Sequence, residues 1–309
     1  QRVTVQEERR RLWSDHFSLK KTRPPILVRF GMHNVWARDV FPDAVMQCAD
    51  PFYRAHERGF RMQLFQDSIG DDCILEPWTS QGSVYRASGG IHGEAWGMPI
   101  QRTRTADVGG SWKADPPIRS WEDAARMKAP VHSIDEEATK RNVEKLREAV
   151  GVILTVDVQR GPQLRNFGGD ISTSLGSLRG LEQIMLDMYE SPGELKKLLA
   201  FMRDGILANH QQAEDVGDIS LTTGGNQAMP YAGELEKPKA NSGPRKRRDL
   251  WGFFAAQEYT LVSPEFHDEF LYEYQLPIMA HYGLTHYGCC EDLTRKIKML
   301  SQARNLRSI

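Results

Sequence analysis

The sequence predicts an α/β fold, and within that class a (β/α)8 TIM barrel with its last strand or two beyond Ile309. Three observations carry this. Apolar runs of roughly four to six residues alternate with helical patterns of roughly ten to twenty, the order of parallel βαβ units. Polar residues gather where the two clearest strands end, at Asp157 and at Cys290-Glu291, and barrel and doubly wound folds place their chemistry at that edge. The segment after the first strand, Gly31-Met32-His33-Asn34, is not a glycine-rich phosphate loop, which disfavours the dinucleotide-binding variant of the class.

The composition fits one large domain. The chain has 309 residues, 40% hydrophobic and 26% charged, with a formal net charge of -1. So balanced a charge gives no global field toward nucleic acid or a membrane surface. The cysteines, Cys48, Cys73, Cys289 and Cys290, are too few and scattered for a disulfide framework, and the adjacent pair is poorly placed to bond to itself. A reducing cytoplasm is the expected setting. No apolar run approaches the roughly 18 residues that span a bilayer.

Residues 1–23 read as a charged N-terminal helical extension, with Leu12, Trp13 and Phe17 at helical spacing. Pro24-Pro25 breaks the chain, and Ile26–Phe30 is the first predicted strand. Asp50-Pro51 opens a helix, and Asp71–Trp78 is the second predicted strand. Residues 82–115, rich in Gly, Trp, Thr and Ser, read as an inserted hairpin region. Ser133 and Glu136 have capping-box spacing, ahead of a helix that buries Val143, Leu146 and Val150 and stops at Gly151. Val152–Asp157 is apolar until its last residue, as expected of a parallel strand covered on both faces. Ser191-Pro192 with Glu194 is a second capping box, and Leu195, Leu198, Leu199, Met202 and Ile206 form one apolar stripe. Residues 234–248 read as a loop. Leu250–Phe254 is a short apolar run, and Ser263-Pro264 caps the next helix. Leu284–Glu291 is predicted to be a buried strand with a polar, soft-ligand tip.

That tip supplies the main candidates. Thiolate, imidazole and carboxylate are the usual zinc ligands. Strand alternation sends Cys289 and Cys290 to opposite faces, unless the strand has already ended, and puts His286 with Cys290. Those two are about 13 Å apart in a fully extended strand, too far to share one ion, so Cys290 looks to Glu258 on another strand. The plainer alternative is a pair of small buried cysteines. Asp157, Asp72 and His33 are candidates for acid–base or orienting roles. For Asp157 the competing role is to bond the N–H groups of a loop. Trp78, Asn226, Gln257 and His286 are the candidates for facing a substrate.

Several of these runs carry a resemblance. Asp249–Glu258 (DLWGFFAAQE), Val262–Glu265 (VSPE), Tyr274–Ile278 (YQLPI) and Gly283–Glu291 (GLTHYGCCE) resemble the uroporphyrinogen decarboxylase-like superfamily. The branch is the one marked by Tyr-Gly-Cys-Cys-Glu. Asp50-Pro51-Phe52, Asp71-Asp72 and Glu76-Pro77-Trp78 fit it too. The resemblance implies a (β/α)8 barrel and two chemistries: cofactor-free porphyrinogen decarboxylation, or methyl transfer involving a corrinoid protein, with zinc in the barrel mouth. The paired arginines that decarboxylases carry after the first strand are replaced here by Arg29–His33 (RFGMH). The His-x-Cys pair of the methyltransferases is replaced by Tyr287-Gly288-Cys289-Cys290. The expected function is therefore a methyltransferase passing a methyl group from a small methylated or methoxylated substrate to a corrinoid protein. Its zinc would be held by Cys290, Glu258 and Glu291, with Cys289 adjacent, and would act as a Lewis acid on the leaving atom. A homodimer is compatible with this type of barrel. A decarboxylase acting on a small acid or a porphyrinogen, and a non-catalytic ligand-binding barrel, are the alternatives.

Overall fold

The computed structural model describes residues 2–28, 35–86, 94–106, 112–221 and 228–309. It is a mixed helix–strand structure. Among the described residues no helix is long and apolar enough to cross a membrane. Strands β1 (Trp78–Gly82) and β4 (Thr155–Gln159) pair in parallel, with Ser80 opposite Asp157. Strands β5 (Trp251–Phe254), β6 (Leu284–Tyr287) and β7 (Leu306–Ser308) form a second parallel sheet in that order. The predicted hairpin is present as β2 (Gln101–Arg104) antiparallel to β3 (Trp112–Asp115).

Helix α1 (Arg2–Phe17) packs through Trp13 and Phe17, which are buried. The indole of Trp13 donates to the Asp72 carbonyl at 2.7 Å, and Phe17 meets the rings of Trp251 and His286. Helix α2 (Pro51–Ile69) is capped by Asp50, whose side chain accepts from Phe52 N. After α3 (Glu136–Val150) and β4 come α4 (Ser172–Arg179), α5 (Leu181–Glu190) and α6 (Pro192–Asp215). The predicted stripe of α6 is buried from Leu195 to Ile206 and anchors the main core with Trp96, Phe254 and Leu271. At Gly205 a Cβ would lie 2.8 Å from the Trp96 ring, so the absence of a side chain there lets the indole lie against the helix. Helical residues 264–279, with a π turn at Asp268–Tyr272, cross from β5 to β6. Ser263 caps this run as predicted, accepting from Phe266 N.

Several expected elements shift, each for a local reason. Ile26–Val28 join no sheet, because side chains serve their backbone: Ile26 N donates to Asp72 and Val28 N to Asp71, each at 2.8 Å. The second strand begins at Trp78 rather than Asp71. The apolar run from Val152 does not start a strand. Gly151 N donates to Arg147 O, and Ile153 N and Leu154 N to Val150 O, so helix α3 unwinds through a turn that leaves Val152 96% and Ile153 81% exposed. Asp157 consequently lies in the middle of β4, not at its tip. The cap of α3 is Asp135, which accepts from Ala138 N, rather than Ser133. Ser191 caps α6 through its carbonyl, which accepts Glu194 N and Leu195 N, and its hydroxyl makes no cap bond.

Candidate active site

The ends of β5 and β6 and the N-terminus of α4 meet around three carboxyl groups. Strand β5 runs out at Phe254 into Ala255, Ala256, Gln257 and Glu258. Strand β6 ends at Tyr287, where Gly288 takes φ +122, a conformation that favours glycine, and its N–H donates to Phe254 O at 2.9 Å. The chain then turns so that Glu291 gathers both strand ends: one oxygen accepts Ala256 N at 2.7 Å, the other Cys289 N at 2.9 Å and Cys290 N at 3.0 Å.

Glu258 leans on α4. Its Cγ would lie 2.8 Å from a Cβ at position 176, so Gly176 makes the approach feasible. Ser172 Oγ stands 2.8 Å from Glu258 Oε2 and 3.1 Å from the Ala255 carbonyl. One hydroxyl proton cannot fully serve two acceptors. Ser172 is the donor to both, so its proton is shared between Glu258 Oε2 and the Ala255 carbonyl. Burial raises the Glu258 pKa against the hydrogen bonds from its own N–H, Ser172 and Thr173, with the charge of Glu291 adding to the rise. Asp170 is fully buried and accepts from Thr173 N and Thr173 Oγ1. Burial and the charges of Glu258 and Glu291 push its pKa well above the ordinary carboxyl range, against the hydrogen bonds from Thr173.

The backbone between these acids is strained. Ile171 has φ 68 and ψ -53, and Ser172 N donates to Asp170 O at 2.8 Å. This is a γ-turn of positive φ, a rare geometry and a costly one for a β-branched residue. Such outliers persist where surrounding structure over-determines them and cluster at functional sites. Here the support is Gln275, whose amide donates to Asp170 O at 2.6 Å and Ala255 O at 3.1 Å. Tyr287 donates to Gln275 Oε1 at 2.6 Å, and His267 Nε2 lies 2.9 Å from the Tyr287 hydroxyl. Burial lowers the His267 pKa to about 3, so the imidazole is neutral and donates through Nε2. The buried chain His267–Tyr287–Gln275 thus fixes the two carbonyls that flank the acids.

The predicted residues fall into separate places. Glu258, Glu291, Cys289, Cys290 and Gln257 come together at the strand ends. His286 does not: it stacks on Trp251 at 4.2 Å, and burial lowers its pKa to about 4. Asp157 takes the alternative role. It accepts from Ser80 Oγ at 3.0 Å, Asn241 N at 2.7 Å and the Gln159 amide, clamping loop 234–248 onto β4. Asp72 holds Arg23 through two bonds of 2.7 and 2.6 Å, and lines an open cleft of about 410 Å³ along α1. Trp78 begins β1, opposite Thr155. His33 and Asn226 lie outside the described residues.

The expected zinc ligands do not fit an ion as they are placed. Among the described residues no three His, Cys, Asp or Glu side chains form a metal-holding group. Glu291 commits both oxygens to main-chain N–H groups, and Glu258 is held at Ser172. Of the two arrangements expected for the cysteines, the structure shows the one in which the strand has ended before them. The strand has ended by Gly288, so their sulfurs lie side by side, 3.5 Å apart. Sequence reasoning missed Asp170, Ser172, Gln275 and Tyr287. The signal for the first two was Asp170 placed two residues before a Ser/Thr-rich helix start that follows Gly168-Gly169. No protein-family model matches the chain, and no curated protein sequence matches it.

Proposed function

We propose that the chain is a methyltransferase of the uroporphyrinogen decarboxylase-like kind, moving a methyl group from a small methylated or methoxylated substrate to a corrinoid protein, with Glu258 as proton donor. The parallel pairs β1–β4 and β5–β6–β7 are read as two arcs of a (β/α)8 barrel, and the acids lie beyond the carboxyl ends of β5 and β6, where barrel chemistry sits. The observation that carries the reading is the fully buried Asp170 carboxyl beside the half-buried Glu258, each with its pKa raised, chiefly by burial. When a methyl–oxygen or methyl–nitrogen bond breaks, the electron pair stays on the heteroatom, which needs a proton as the methyl group passes to its acceptor. Glu258, half-buried and with its pKa raised by burial, supplies that proton and becomes a carboxylate. Asp170 behind it, its pKa pushed well above the ordinary carboxyl range, limits the negative charge the site already carries.

The same acid supports a second reading. In a decarboxylase it would protonate the carbon left after carbon dioxide departs, with no second substrate. One assay separates the two. The full chain is mixed with chemically reduced cobalamin and a panel of methoxylated aromatics and methylated amines. The expected result is the methylcobalamin spectrum, with Glu258→Gln slower by about 10² to 10⁴, the usual worth of a general acid. Carbon dioxide released from an acid panel without cobalamin selects the lyase. Neither product selects a ligand-binding barrel.

A further inference from the structure

We propose that Cys289 and Cys290 are a reversible modification site, at which a low-molecular-weight disulfide such as oxidised glutathione converts the two thiols into a disulfide between neighbours and thereby unseats Glu291. The sulfurs already lie 3.5 Å apart, and Cys290 is exposed to reagent. Gly288, at φ +122, has turned the chain out of the strand, so ladder hydrogen bonds no longer hold the cysteines on opposite faces.

The step balances. The Cys290 thiolate attacks one sulfur of the external disulfide, releasing one small thiol and leaving a mixed disulfide. The Cys289 thiolate then attacks the Cys290 sulfur and expels the second small thiol. Two protein thiols are oxidised to one S–S bond, one external disulfide is reduced to two thiols, and the two protein protons leave with them.

The structural consequence follows from the shape of the new ring. It closes through the Cys289–Cys290 peptide itself. Adjacent α-carbons stand about 3.8 Å apart across a trans peptide, whereas disulfides prefer about 4.4–6.8 Å. The peptide must therefore rotate or distort, and its N–H is one of the two that Glu291 Oε2 accepts. Losing that donor loosens the carboxylate that also holds Ala256 N, next to the acid site. Strain of this kind also makes the bond easy to reduce, which suits a reversible mark.

The effect on activity rests on the acid-site reading; the modification does not, and it can be read without substrate. The intact protein is treated with oxidised glutathione and mapped by peptide mass. The expected result is loss of two hydrogen masses on the peptide carrying both cysteines, restored by dithiothreitol. Cys289→Ser should stop at one glutathione adduct on Cys290. Hydrogen exchange at the Ala256 amide should quicken by about tenfold in the oxidised form. A stable glutathione adduct on wild-type Cys290, an unchanged peptide, or a disulfide between two chains would overturn the modification. An intramolecular disulfide with unchanged Ala256 exchange would overturn its coupling to Glu291. Activity that is absent in both redox states, with both readouts positive, would count against the proposed function alone.

Discussion

At the scale of single residues, Asp170 holds the most testable chemistry. Its neutral form is favoured in the folded protein, so the folded state keeps a proton that the unfolded chain gives up near pH 4. The sign follows: this stability is fully present below the ordinary carboxyl pKa and is lost as pH rises from there toward the raised folded value. Asp170→Asn mimics the neutral acid and cannot ionise. The difference in Tm between variant and wild type is expected to move in the variant's favour as pH climbs from about 4, while activity falls. A constant difference across that range would refute a raised pKa. Carboxyls with lowered pKa, such as Asp72 beside Arg23, act in the opposite direction in both proteins and cancel in the comparison. Of the site's acids, Glu258 and Glu291 were legible in the sequence because they follow recognisable strands. Asp170 was not, because its partners, Thr173 and Gln275, come from a helix start and a helix about a hundred residues later.

At the scale of elements, two helical glycines make a matched pair. A Cβ at Gly176 would press on Glu258 Cγ, and one at Gly205 on the Trp96 ring, each at 2.8 Å. Both Gly→Ala changes overpack a fitted contact, which costs about 1–3 kcal/mol. Only Gly176→Ala displaces a residue of the candidate site. Urea melts are expected to show a loss in both variants, whereas kcat should fall for Gly176→Ala alone. Equal loss of activity in both would remove Glu258 from the chemistry. Strand and helix order was readable here from periodicity, but register was not. The run Val152–Leu154 has the composition of a strand, yet the exit turn of α3 consumes its backbone groups, and β4 starts three residues later than the apolar run. That shift moved Asp157 from a strand tip to a strand centre, where it accepts Asn241 N of loop 234–248.

At the scale of the whole molecule, a few buried ionic links join distant segments. Arg179 pairs with Asp187 at 2.8 and 2.9 Å, both side chains almost fully buried, while donating to Ile118 O at 3.2 Å and stacking on Trp121 at 4.5 Å. The pair ties α4 and α5 to the segment that follows the β2–β3 hairpin. Asp187→Asn leaves a buried guanidinium without its counter-charge and is expected to cost roughly 3–5 kcal/mol, read from the urea midpoint at constant m. A loss below about 1 kcal/mol would mean that water reaches the pair. The alternation of elements placed the chain in its fold class, but not these cross-links, which join residues with no pattern in common. Helix α1 is the extreme case. Its Phe17 meets Trp251 and His286, its Arg10 bonds Tyr231 and Glu76, and Arg307 donates to the Phe17 carbonyl. At a synthesis rate of about 5–20 residues per second, the aromatic partners of Phe17, Trp251 and His286, follow it by on the order of tens of seconds. Phe17 is therefore an aromatic handle on the growing chain during that interval, and its contacts with the second sheet form only after β5 and β6 are made.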